Sequence, residues 1–573
     1  MYPIASHVRV VGLAALLAMS SSLAHASARV VIVSEDDPGV GLNDPTPRAP
    51  IGGNTGTTVG EQRRIALQHA ADLWSAQLDS PVEIRVAVGF FPLPCFGASA
   101  SVGQSGPWSV FTDFGSVGAF PGPVRQQTWH FSALADKRAG YDLEPGEPDL
   151  ESIFNINLGA PNCSEGSHYY YGLDGNEAVG DVDLVAVALH EFAHGFGFLQ
   201  LLRQSTGALF HGLPSVFETH VLDTSSMKTW EQMTDAERMA SIRNMRRVVW
   251  DGTEVSRDAA AVLDYGLPTL VVTEPASIAR SYEVGEATFG PRLSSPGVTA
   301  RIVLARSSGS SDTDGCNAIT NARDIAGQMA LVDRGNCTFV VKAANLQAAG
   351  AAAMIMVDNV PGAVPNVVGG FDPTIAIPVV RITLADGAAI KAQLATGVDA
   401  NLGLDLSRLA GVDTAGRMLL NATNPLSGDI AHWDPIAFKN QLMEPSINPD
   451  LTHELSVPID LTVSALHDLG WFPDADNDGH PNDADACATS DTRATLVIDA
   501  LDTGVPNVLL TNGCTISDYV IGAATRADTH GAFVSEVARL SVTWRADGLI
   551  TDEQRSSIQV AAAHSSIGSK LSK

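Results

Sequence analysis

Two hydrophobic periods alternate along this chain. Val82-Glu-Ile-Arg-Val-Ala-Val88 changes side at every residue, which predicts a half-buried strand. Ala28–Val33 reads as a short strand ahead of it, with an amphipathic helix between them from Gly60 to about Leu78. Further strands are expected at residues 128–131 and 153–157. Asp183-Leu-Val-Ala-Val-Ala-Leu189 then has no polar face and runs on into His190-Glu191-Phe192-Ala193-His194, the pattern of a buried helix. Gly197 stands where the chain would leave that helix in a left-handed turn. Strands and a helix ahead of a buried helix predict an α/β unit.

Beyond it, Thr234-Asp-Ala-Glu237 is a capping box. Its helix is expected to continue through Arg247, with Arg243, Arg246 and Arg247 as a solvated face. From about Leu267 to Arg408 the composition becomes Gly-, Ala- and Val-rich, with few aromatics. A strand over 327–333, a helix from Val341 to Gly350, a buried strand from Ala353 and another at Ile375–Ile382 are expected there. At Met418 the chain regains the character of its first half, and a helix beginning near Leu461 is closed by Gly470. A terminal helix is expected near Thr551.

Length allows roughly three or four domains. The formal net charge of −29 makes nucleic acid and anionic membranes improbable partners. Residues 1–26 have the form of a secretory signal peptide: a basic start, an apolar run, and Ala24-His25-Ala26 as a small-x-small cleavage site. No later stretch reaches 18 uninterrupted apolar residues, so no membrane span is expected. In a chain so exported, secreted or periplasmic, the even set of six cysteines (Cys95, Cys163, Cys316, Cys337, Cys487, Cys514) implies disulfides, falling two by two into separate segments.

The chemistry centres on His190-Glu191-x-x-His194. Residues four apart lie one above the other on a helix, so two imidazoles reach one zinc ion, and Glu191 lies beside its open position. A catalytic zinc usually takes three protein ligands. Position 200, where the compact H-E-x-x-H-x-x-G-x-x-H pattern has its third histidine, holds Gln200. Glu218 is the thermolysin-like candidate, but its surroundings lack the usual motif. His432, in Ala431-His432-Trp433-Asp434, stands shortly before Leu442-Met443-Glu444-Pro445 and a helix ending in Asp-Leu-Gly-Trp. His432 is preferred on ligand type and motif order.

Asp474, Asp476 and Asp478 followed by Gly479, with Asp483 and Asp485 beyond, have the oxygen-ligand spacing and sharp turn of a calcium loop.

Three resemblances accompany these residues. The split order of H-E-x-x-H-x-x-G, a distant histidine and a methionine turn resembles leishmanolysin-type metzincins. The resemblance implies that His190, His194 and His432 bind zinc, that Met443 is the Met-turn residue, and that Glu191 is the general base of an endopeptidase acting on protein or peptide substrates. Ala330-Leu-Val-Asp-Arg-Gly-Asn-Cys-Thr-Phe339 and the helix after it resemble the protease-associated (PA) domain, which implies an internal Cys316–Cys337 disulfide. The acidic run ending in Cys487 resembles a thrombospondin type 3 repeat. The expected fold is an α/β (α+β) metzincin-type catalytic domain, residues 27–266 and 409–472, split by a PA domain at 267–408. A calcium loop at 473–487 and a small helical region at 488–573, pinned by Cys487 and Cys514, complete the chain. The alternatives are a catalytically silent binding protein and a thermolysin-like hydrolase using Glu218.

Overall fold

A computed structural model describes residues 28–568 apart from 98, 119, 310, 363–367, 371, 423–429, 448–450, 473–484, 488–489 and 500. The expected signal peptide lies outside the described residues, as do Asp474, Asp476, Asp478 and Asp483.

The first unit is a four-stranded sheet in the order β1 (Val30–Ser34), β2 (Ile84–Phe91), β6 (Leu150–Asn155), β3 (Gly103–Pro107). The first three strands run parallel, and β3 closes one edge antiparallel to β6. Strand β6 begins at Leu150 rather than at the expected 153, because its first residues already pair with Val86 and Ala87 of β2. Helix α1 (Val59–Gln77) starts at a capping box, with Thr58 Oγ1 accepting the Glu61 N–H and Glu61 returning to the Thr58 N–H. Its face of Ala66, Leu67, Ala70 and Trp74 is fully buried. A short hairpin, β4 (Val110–Phe111) with β5 (His130–Phe131), leads into α2 (Ser132–Ala139). Helix α3 (Leu184–Phe196) is buried at every residue.

At the entry to β6, Asp136 and Asp149 are both buried and hydrogen-bonded to one another. Asp136 Oδ1 accepts the Leu143 N–H at 2.9 Å and Asp149 Oδ2 the Arg85 N–H at 2.7 Å. Burial raises both carboxyls, so the pair holds a proton that the unfolded chain would release. The sign follows: stability from the pair is full at low pH and is lost as pH rises above the ordinary carboxylate range. Asp136→Asn keeps the Leu143 contact and offers an N–H to Asp149. It is expected to raise the melting temperature of this unit at pH 8 by a few degrees, at about 2–4 °C per kcal/mol, and to leave it nearly unchanged at about pH 3, below the ordinary aspartate range. Calorimetry at the two pH values checks this.

The capped helix at Asp235 ends at Ser241, and the chain turns into a strand, Val248–Trp250. The arginines are therefore not one solvated face. Arg243 is exposed, but Arg246 donates to Val284 O at 2.9 Å and Arg247 to Glu283 Oε1 at 3.4 Å, both on the next unit.

That unit is an eight-stranded mixed sheet over 265–409. Four parallel strands, Val298–Leu304, Met329–Asp333, Ala353–Val357 and Val379–Ile382, form its middle. Separate apolar clusters cover its two faces. The entering strand, Tyr265–Glu274, pairs antiparallel with the leaving strand, Asp399–Leu409, with Tyr265 opposite Leu409. The chain thus leaves and returns at one place. Asp264 locks that junction: its N–H donates to Phe438 O at 2.7 Å and its carbonyl accepts the Ala410 N–H at 3.1 Å.

Returned, the chain lies beside Val248–Trp250, with Trp250 N–H donating to Met418 O and Leu420 N–H to Val248 O. One hydrophobic core is consequently built from residues 28–263 and 412–471 together. The C-terminal region has its own core, formed by a hairpin (Thr495–Ile498, Leu501–Pro506) and helices Ile516–Arg526, His530–Ala546 and Asp552–His564. Disulfides join Cys95 to Cys163, Cys316 to Cys337 and Cys487 to Cys514. No helix among the described residues is long and apolar enough to cross a membrane.

Candidate metal centre

Helix α3 is fixed at both ends. Asp183 Oδ1 accepts the Val185 N–H at 2.8 Å as N-cap, while Asp183 Oδ2 lies 2.7 Å from His453 Nε2. At the other end Gly197 has φ +127°, and the backbone doubles back so that Phe198 N–H donates to Ala193 O. Two indoles clamp the helix backbone: Trp74 Nε1–H donates to Leu189 O and Trp471 Nε1–H to Phe196 O.

The reversal at Gly197 carries the Phe198 carbonyl to 2.8 Å from His194 Nδ1. His190 Nδ1 lies 2.7 Å from the carbonyl of Leu442, a residue far along the chain. A carbonyl only accepts, so both rings hold their proton on Nδ1 and present Nε2 lone pairs. Those two Nε2 atoms are 3.1 Å apart. Burial, reinforced by the neighbouring histidines, pushes both imidazoles down to about 3 and keeps them neutral.

His432 comes from the returning segment. Its carbonyl accepts the Asn421 N–H at 2.8 Å, Trp433 N–H donates to Met443 O at 2.8 Å, and Asp434 N–H to Leu419 O at 2.9 Å. The half-buried His432 ring stands 5.2 Å from the His190 ring and 4.9 Å from the His194 ring, centre to centre. One ligand atom from each of the three histidines lies within 4.8 Å of the other two. Four-coordinate zinc with Zn–N near 2.0–2.1 Å sets its nitrogens ~3.3 Å apart. Three imidazoles at this spacing fit that ion.

Met443 is fully buried in the shared core, in a turn where Glu444 N–H donates to Gln441 O and Gln441 N–H to Glu444 Oε1. Asp460 Oδ2 holds the same turn through the Leu442 N–H at 2.6 Å, and Asp460 Oδ1 accepts the Thr462 N–H at the start of helix Thr462–Asp468. The turn is therefore an anchor for the carbonyl that orients His190.

Glu191 is buried, and its Oε2 has no hydrogen-bond partner among the described residues. Burial pushes its carboxyl up to about 8, and a divalent cation beside it would favour the carboxylate. A buried carboxylate oxygen with no partner among the described residues, one residue beyond His190 on helix α3, suits a reacting water. Glu218 is differently placed: Oε1 accepts the Leu201 and Leu202 N–H groups at 2.6 and 3.2 Å, and Oε2 the Ser215 N–H at 2.5 Å. Its carboxylate closes a backbone loop, which leaves it unsuited as the third ligand. Asp485, the described member of the acidic run, accepts the Cys487 N–H at 2.6 Å.

The sequence alone does not mark the supporting residues Leu442, Phe198, Asp460 and His453. Two of them act through main-chain carbonyls, which carry no side-chain signature. Asp183 is legible as an N-cap, but its partner His453 is not.

Comparison with known proteins places one module. The PA domain family model matches residues 298–390. The chain is similar to the "Probable leucine aminopeptidase 2" of Aspergillus fumigatus, 31% identical over 129 residues, 22% of this chain and 24% of that protein. It is 42% identical over 78 residues to the "ER degradation-enhancing alpha-mannosidase-like protein 3" of Xenopus laevis, 14% of this chain and 8% of that one. Among solved structures, a zinc aminopeptidase from Bacillus subtilis shares 26% identity, covering 27% of this chain and 35% of that one, at TM-score 0.20. The chain thus spans about a quarter or less of the curated relatives it matches. The chain carries a PA domain, and residues 298–390 lie within the eight-stranded unit over 265–409.

Proposed function

We propose that this protein is an exported zinc-dependent endopeptidase. Its catalytic unit is of metzincin type, close to the leishmanolysin-like group, and is split by the PA domain. The observation that carries the reading is the convergence of His190, His194 and His432, with the buried carboxyl of Glu191 on the residue after His190 in the same helix. Zinc held by the three imidazoles supplies Lewis acidity to the scissile carbonyl and to the attacking water. Glu191 accepts the proton of that water and delivers it to the leaving amine. Leu442 and Phe198 keep two of the imidazoles in the tautomer that ligates. The edge strand β3, open on one side, offers backbone groups to an extended peptide. The disulfides agree with an oxidising, extracytoplasmic setting, and the spacing of Asp474, Asp476, Asp478, Asp483 and Asp485 supports a calcium loop.

Relatives named aminopeptidases favour a second reading, removal of N-terminal residues. Both are tested on the full chain by zinc content and by cleavage of casein, an N-terminally blocked peptide and leucine p-nitroanilide. One zinc per chain with internal cleavage of casein and the blocked peptide is expected. Release of N-terminal residues alone would replace the endopeptidase reading, and no hydrolysis at full zinc occupancy would leave the silent binding protein.

A further inference from the structure

We infer that Gly103, on the edge strand, is a positioning residue for the carboxylate of Glu191; the inference deepens the hydrolase reading and rests on it for its catalytic consequence. Strand β3 crosses α3 so closely that a Cβ built on Gly103 would lie 2.4 Å from Glu191 Oε1, 2.7 Å from its Cδ and 2.8 Å from its Cγ. All three are well inside van der Waals contact. A glycine at 103 therefore leaves the space in which the Glu191 side chain stands. Gly106, on the same strand, is different, since a Cβ there would meet only Leu199 Cδ2 at 3.5 Å, an ordinary contact.

Neither backbone is free to relieve the clash. The entry to β3 is held by three bonds to its carbonyls: Tyr169 Oη–H to Val102 O at 2.5 Å, Asn155 N–H to Val102 O at 3.0 Å, and Asn155 Nδ2–H to Ser101 O at 2.9 Å. Gly103 itself is in register with Phe154 of β6. Helix α3 is buried throughout and held by Trp74 at Leu189 O and Trp471 at Phe196 O. The remaining freedom is in the torsions of Glu191. A methyl group at 103 would thus swing the carboxylate away while leaving the three imidazoles in place, and a displacement of about 1 Å at a reacting group costs on the order of 10²-fold.

The test is Gly103→Ala in the full chain, with Gly106→Ala as structural control and Glu191→Ala as the change that removes the clash. Crystal structures are expected to show the Glu191 carboxylate of Gly103→Ala displaced, with β3 and α3 superimposing on wild type and zinc content unchanged. In kinetics, kcat falls about 10–100-fold with KM within about twofold, and in Gly106→Ala the Glu191 carboxylate stays in its wild-type position. Alanine at 191 removes all three atoms that the added methyl would meet, so Gly103→Ala/Glu191→Ala is expected to equal Glu191→Ala alone. A Gly103→Ala structure in which Glu191 is unmoved, or in which β3 shifts instead, overturns the inference, as do additive losses in the double variant. A displaced carboxylate in a zinc-loaded protein that hydrolyses nothing even as wild type would sink the hydrolase reading and leave the positioning intact.

Discussion

Glu191→Ala is expected to keep zinc at one equivalent per chain and to lower kcat/KM for a peptide substrate by about a thousandfold, within the ~10²–10⁴ that a positioned acid–base contributes. The separation of binding from turnover follows from geometry. Each ligand nitrogen on α3 is oriented by a carbonyl, His190 by Leu442 and His194 by Phe198, and Glu191 supports neither. Its removal also takes away a buried carboxyl, one of whose oxygens has no partner among the described residues, which is costly to bury. The metal-free variant is therefore expected to melt at or above the wild-type temperature. Metal analysis, initial rates and thermal melts on the same preparations check the three statements. Loss of zinc along with activity would mean that Glu191 holds the ion and would remove its assignment as base.

How much of this is written in the sequence differs residue by residue. The period of α3 puts His190 and His194 on one face, and the burial of all thirteen of its residues follows from a run with no polar side. His432 is legible through its neighbours in sequence, not through any periodicity, and its approach to the other two depends on chain topology. The pairing of Tyr265 with Leu409 returns the chain to where it left, so the long insertion costs the surrounding unit no continuity. That pairing links strands at opposite ends of the insertion, which local patterns do not specify. The arginines after the capping box mislead for the same reason. Arg246 and Arg247 resemble a solvated face until Val284 and Glu283, from the next unit, stand opposite them. Gly103 is invisible for a further reason: what matters there is a missing atom, and only the distance to Glu191 gives that absence meaning.

The second large effect separates the two candidate third ligands. His432→Ala is expected to weaken zinc by more than the roughly 10–100-fold that losing an outer-shell partner costs, and to abolish hydrolysis at stoichiometric zinc. Its metal-free fold should persist, because the bonds that seat this segment are main-chain ones: Asn421 N–H to His432 O, Trp433 N–H to Met443 O, and Asp434 N–H to Leu419 O. The readout is the rise in melting temperature on adding zinc, which depends on affinity and should vanish in the variant while its metal-free transition stays put. Glu218→Ala should behave in the opposite way. It strands the Leu201, Leu202 and Ser215 N–H groups in the interior, at about 1–3 kcal/mol for each buried group left unsatisfied. Its metal-free transition should therefore fall by several degrees while the zinc-dependent rise survives. A His432→Ala protein with undiminished zinc affinity, beside a Glu218→Ala protein that folds but no longer takes the metal, would move the third ligand to Glu218 and the catalytic unit out of the metzincin type. The arrangement of Glu218 weighs against that exchange, since its carboxylate is engaged by three backbone amides and would have to release them to reach an ion.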